Sequence, residues 1–133
     1  MTKTLPLTIK KQWFDLIRSG EKTEEYREIK DFWCRRLLTF GEELEGGVFD
    51  EMMGDLARPG WRHDGVLDAM GYFGVSFKEY DAIEFRNGYS PTSPRFIAQL
   101  KGIEIKQGIE AWGAEKDKFY FVLTLGVTEA AKK

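Results

Sequence analysis

Gly20-Glu21-Lys22-Thr23-Glu24-Glu25-Tyr26-Arg27 is the stretch on which the fold turns. It opens with Ser19-Gly20, a helix stop, because glycine takes the left-handed conformation after a last helical turn without steric cost. Upstream, Trp13, Leu16 and Ile17 recur at the spacing of one helical face. Downstream, charged and uncharged groups alternate, so the chain is expected to run extended at the surface, with Thr23, Glu25 and Arg27 sharing one face. Ahead of the helix, Leu5-Pro6-Leu7-Thr8-Ile9 alternates apolar positions in the manner of a short strand, with Pro6 tolerable on an edge.

Working outward, Asp31 is placed to cap a second helix reaching Leu38, with Trp33 and Leu37 on its buried stripe and Arg35 and Arg36 toward solvent. The segment from Gly41 to Tyr80 reads as an insertion carrying one or two short helices. It holds Val48, Met52, Met53 and Leu56, a break at Arg58-Pro59-Gly60, then Val66, Leu67 and Met70. Strand character returns at Asp81–Arg86, followed by a tight Asn87-Gly88 turn and a loop running through Pro94. Phe96–Leu100 and Ile103–Ile105 read as strand pieces bent at Gly102. Phe119–Leu125 is the strongest buried strand, ended by Gly126.

About five short strands with early helices and no later crossover helices predict an α+β fold, a small mixed β-barrel flanked by short helices with a helical insertion. One domain is expected over 1–126, with the insertion at about 42–80 and a C-terminal tail over 127–133.

The 133 residues and 42% hydrophobic content suffice for one core. A lone Cys34 excludes an intramolecular disulfide. The sequence carries neither a membrane-spanning apolar run nor a leader pattern, so a reduced, cytoplasmic protein with no membrane partner is expected. The net charge of −2 does not announce a nucleic-acid binder, but its layout is uneven. Nine Lys/Arg stand against six Asp/Glu from Met1 to Phe40, whereas Glu42 to Asp55 holds six acidic residues and no basic one. A cationic surface on the first segment is compatible with the acidic total if the second faces elsewhere.

The run Leu7-Thr8-Ile9-Lys10, Trp13-Phe14, Leu16-Ile17 and then Gly20 to Arg27 resembles the opening signature of ASCH domains, whose core is a Gly-x-Lys-Thr followed by x-x-x-Arg. Phe85-Arg86-Asn87-Gly88-Tyr89, Gly102-Ile103, Trp112-Gly113 and Phe119 to Gly126 look like the second half of the same family, in a form associated with phage and mobile-element genomes. The likeness covers most of the chain apart from the insertion. It implies a PUA-like barrel that binds RNA or a modified nucleoside or nucleotide in a basic cleft, where the loop after the first helix meets the later strands. One bacterial branch resembles amidohydrolases acting on N4-acetylcytidine. Their nucleophile is a threonine three positions after the motif lysine, where this chain has Glu25.

Under that resemblance Lys22 and Arg27 are the expected phosphate or base contacts, one as a point charge and the other as a fork. Thr23, Arg86 and Asn87 join the candidate set, and Tyr26, Tyr89 and Trp112 are the expected stacking walls for unpaired bases. Glu25 is either a spacer orienting the two cations or, with Lys22, part of a catalytic pair if the protein is a hydrolase. Glu104 and Glu110 are further carboxylates an amidohydrolase would have available. A ribonuclease reading would have Lys, Arg and Tyr stabilise a pentavalent transition state, with His63 outside it as a surface residue. Cofactors and metals are not expected, for want of a Cys/His cluster. The third class of function is a protein-interaction module presenting the 42–80 insertion to a partner.

Overall fold

Leu5 and Leu7 are buried while Thr4 and Pro6 between and beside them are exposed, and this two-residue period builds β1 (Thr4–Thr8). The computed structural model describes residues 3–40 and 75–128. After β1 come α1 (Lys11–Ser19), β2 (Glu24–Glu28), α2 (Asp31–Leu37), β3 (Leu38–Phe40), β4 (Val75–Phe77), β5 (Ala82–Arg86), β6 (Arg95–Gln107), a 3-10 turn (Glu110–Trp112) and β7 (Phe119–Thr128).

Five strands form one mixed sheet in the order β1-β5-β6-β7-β2, which curls into a half-barrel flanked by the short helices. β1 and β5 are parallel, and the remaining pairs are antiparallel. β3 and β4 make a separate two-stranded ribbon. The expected α+β class is therefore what the chain adopts, and five of its seven described strands make up the mixed sheet.

Four details differ from the sequence reading. Asp31 is the first residue of α2, behind Lys30 at the N-cap, and Leu38 starts β3, where the sequence predicts Asp31 as the cap of a helix reaching Leu38. The two strand pieces around Gly102 are one strand, β6, whose pairing with β7 shifts register between Ala98 and Leu100 and again between Leu100 and Gly102. Such irregularities bend a strand without ending it, as a curled sheet requires. β7 continues through Gly126 to Thr128, and the glycine leaves room for the Gln99 side chain of β6, which a β-carbon there would meet. Residues 75–77, read as part of the insertion, are β4. The helices expected within 41–74 lie outside the described residues.

In the main core, Phe14 and Ile17 of α1 and Cys34 and Leu37 of α2 cluster with Phe85, Phe96, Phe121 and Leu123 of the sheet. Phe14 meets Phe96 edge-on, with ring centroids 4.9 Å apart. A smaller cluster of Tyr26, Ala114, Tyr120 and Val122, with Trp112 against it, covers the other face of β2 and β7. β1 and β2, at opposite ends of the strand order, are the two strands of the half-barrel without a second neighbour among the described residues. The space between them holds the candidate site.

Candidate functional site

Gly20 ends α1 in the left-handed conformation (φ 89°), with its N–H on the Ile17 carbonyl. The Lys22 N–H then donates to the Leu16 carbonyl at 3.0 Å, which folds the chain back under α1 before β2 begins. This return decides the environment of the signature. The stretch expected at the surface is instead covered, and Lys22 and Glu25 are the buried charged residues of the described chain, at 1% and 5% exposure.

Lys22 Nζ lies 5.4 Å from the ring centroids of both Trp13 and Tyr26, so two aromatic faces stand where water would otherwise solvate the ammonium. Its hydrogen bond goes to Glu25 Oε1 at 2.6 Å. The same oxygen accepts the Tyr26 backbone N–H at 3.2 Å, a donor on an edge strand. Glu25 Oε2 faces Arg27 Nη2 at 3.3 Å, and the Arg27 guanidinium rests on the Trp33 ring at 4.9 Å. One carboxylate thus serves two cations, each backed by a tryptophan. Among the described residues, neither Arg27 Nε nor Nη2 has an aligned hydrogen-bond acceptor, although both atoms are buried. Unsatisfied buried donors of this kind call for a specific explanation.

Burial pulls the Lys22 ammonium below its ordinary pKa, against the opposing pull of Glu25. Arg27 is lowered for the same reason, again opposed by Glu25. Burial pushes the Tyr26 phenol upward. That hydroxyl donates to Glu24 Oε1 at 2.8 Å and accepts the Ile109 N–H at 2.9 Å, which pins the 3-10 segment against β2.

Above this floor opens a cleft of about 600 Å³, within the range of small-molecule sites. Thr8, Ile9 and Lys10 contribute from the end of β1, Glu25 to Glu28 from β2, and Lys30 and Trp33 from the α2 end. Trp13, Trp112, Gly113, Glu115 and Tyr120 complete the wall. Three of the chain's four tryptophans line it, a concentration of flat apolar surface beyond what the core requires. Gly113 (φ 100°) lets Trp13 close in, since a β-carbon there would stand 2.9 Å from the indole. The lining is not uniformly basic. Lys10, Arg27 and Lys30 are matched by Glu25, Glu28 and Glu115, so the excess positive charge comes from Lys22 beneath.

Of the sequence candidates, Glu25, Tyr26, Arg27 and Trp112 come together in the lining, with Lys22 under them. Thr23 has an exposed side chain, and its carbonyl accepts the Leu125 N–H. Arg86 pairs with Glu84, Asn87 donates its side-chain amide to the Ile9 carbonyl at 3.0 Å, and Tyr89 stands in solvent. These four lie outside the lining. Glu104 and Glu110 are exposed on β6 and the 3-10 turn, and His63 falls outside the described residues.

Trp13 and Trp33 were not legible as site residues, because their helical spacing marks both as core. Their sequence positions, near Lys10 and just beyond Arg27, were the available signal. Among the described residues no group of three His, Cys, Asp or Glu could hold a metal ion, and no helix is long and apolar enough to cross a membrane. Compared with known proteins, the chain matches no family model, no curated protein and no solved structure.

Proposed function

We propose that this chain is an ASCH-like module that binds RNA or a modified nucleoside, seating a nucleobase in the tryptophan-walled cleft. The observation that carries this reading is the Lys22–Glu25–Arg27 row. A buried ammonium and a mostly covered guanidinium share one carboxylate, and Arg27 keeps buried N–H donors without an aligned acceptor beside the Trp33 ring. A flat heterocycle with carbonyl or ring-nitrogen acceptors fits both demands, since indole faces stack on its plane and a guanidinium forks onto its edge. The balanced lining favours a ligand portion of low charge over a run of phosphates.

Hydrolysis is the second reading, favoured by the hydrogen-bonded Lys22–Glu25 pair under the cleft, whose ammonium is held below its ordinary pKa by burial. The test is to titrate cytidine, N4-acetylcytidine and a single-stranded RNA hexamer into the protein and its Arg27→Ala variant, then weigh the recovered ligands by mass spectrometry. A binding module gives unchanged masses and an affinity that drops at least about tenfold in Arg27→Ala, the effect of losing a charge-assisted hydrogen bond. Conversion of N4-acetylcytidine to cytidine, or shortened RNA, would replace binding with hydrolysis. No binding by the wild type would end the nucleobase reading.

A further inference from the structure

Tyr89 is 92% exposed, the most of any large apolar side chain described. Phe32, the other exposed aromatic, stacks edge-on with Trp33 and lies under Arg36, so it already has partners. A tyrosine ring left in water contributes almost nothing to the fold. Its loop is nonetheless firmly braced. The Asn87 N–H donates to the Pro94 carbonyl at 3.0 Å, the Ser90 N–H to Ser93 Oγ at 3.0 Å, and Arg95 Nη2 to the Pro91 carbonyl at 3.0 Å.

The loop is also tied to the cleft. The Asn87 side chain holds the carbonyl of Ile9, and Ile9 is part of the cleft wall. The loop also leaves directly from the strand end beside that wall, since the Ile9 N–H donates to the Arg86 carbonyl at 2.9 Å and Arg86 pairs with Thr8, another lining residue. With the lining balanced in charge, few contacts are left for a phosphate chain, and stacking is the remaining way to add affinity along a strand.

We propose that the 87–94 loop forms an outer subsite in which Tyr89 stacks on the nucleotide adjacent to the one held in the cleft, making the ligand a single-stranded polynucleotide instead of a free nucleoside. The inference rests on the nucleobase reading of the cleft and specifies its ligand. Asn87 is the positioning residue, since it fixes the loop to the rim.

The test measures binding of a labelled random-sequence RNA hexamer by anisotropy, with a mixture of the four ribonucleosides as competitor, for wild type, Tyr89→Ala and Tyr89→Phe. The hexamer should bind at least about tenfold more tightly than the nucleosides. Tyr89→Ala should lose roughly five- to hundredfold of the hexamer affinity, the range of one base–aromatic stack, and leave nucleoside affinity unchanged. Tyr89→Phe should keep wild-type affinity, and the salt slope should match in all three proteins, because no phosphate contact is removed. Wild-type hexamer affinity in Tyr89→Ala, with nucleoside binding intact, overturns the subsite and leaves the cleft reading standing. An equal loss for hexamer and nucleosides also overturns it, by placing Tyr89 inside the cleft. If the wild type binds neither probe, subsite and cleft reading fall together.

Discussion

A carboxylate between a buried ammonium and a mostly covered guanidinium depends on both, and they on it. Replacing Glu25 with Gln leaves Lys22 and Arg27 facing a neutral amide with their charge uncompensated, a change that typically costs about 3–5 kcal/mol in buried pairs. Urea denaturation should show that loss, and the double variant Lys22→Met/Glu25→Gln should recover much of it. Lys22 carries a pH signature as well. Its folded pKa lies below the ordinary 10.5, so the unfolded chain binds more protons over the window just under that value. Wild-type stability relative to Lys22→Met should therefore rise with pH through that window and be flat below it, as denaturation midpoints of the two proteins across an alkaline series will report. Part of this row could be read in advance, since alternation puts Glu25 and Arg27 on one face; it groups them with Thr23, whereas the chain turns Thr23 outward and brings Lys22 in. The row's burial could not be read, because alternation tells which side chains share a face and is silent about what covers that face. Here the cover comes from Trp13 and Trp33, on helices whose own periodicity assigns them to the core.

At the level of elements, legibility followed length. α1 was marked by its apolar spacing and its glycine stop, and β7 by a continuous apolar run. β3 and β4 have three residues each, too few for any period to declare itself. β6 looked divided because its register shifts fall near Gly102, where pairing slips but does not stop. β7 also shows that stabilisation is unevenly spread along a strand. Phe121 is fully buried and meets Phe77 edge-on at 6.3 Å, whereas Val127, beyond Gly126, is 73% exposed. Phe121→Ala should lower the unfolding free energy by about 3–5 kcal/mol, while Val127→Ala should stay within about 0.5 kcal/mol of wild type in the same urea titrations.

For the whole molecule, the charge layout bears on how a polynucleotide would be held. The first segment's cationic bias does not produce a basic trough, since acidic side chains interleave with Lys10, Arg27 and Lys30 around the cleft. With three such cations in the cleft lining among the described residues, the logarithm of the binding constant should fall with the logarithm of salt at a slope of about −2 for single-stranded RNA held at the cleft. A salt series with the hexamer measures it directly, and a much steeper slope would mean that backbone contacts outweigh stacking. The β3–β4 ribbon has a separate bearing on how the domain can be altered. Phe40 and Val75 sit opposite one another in its register, so the chain departs toward residues 41–74 and comes back at neighbouring positions. Closing a loop on such a base becomes only logarithmically harder as the loop lengthens. The ribbon is accordingly a grafting point, where a short turn, a fluorescent reporter or a second binding domain can be spliced in without re-registering the strands that carry the cleft.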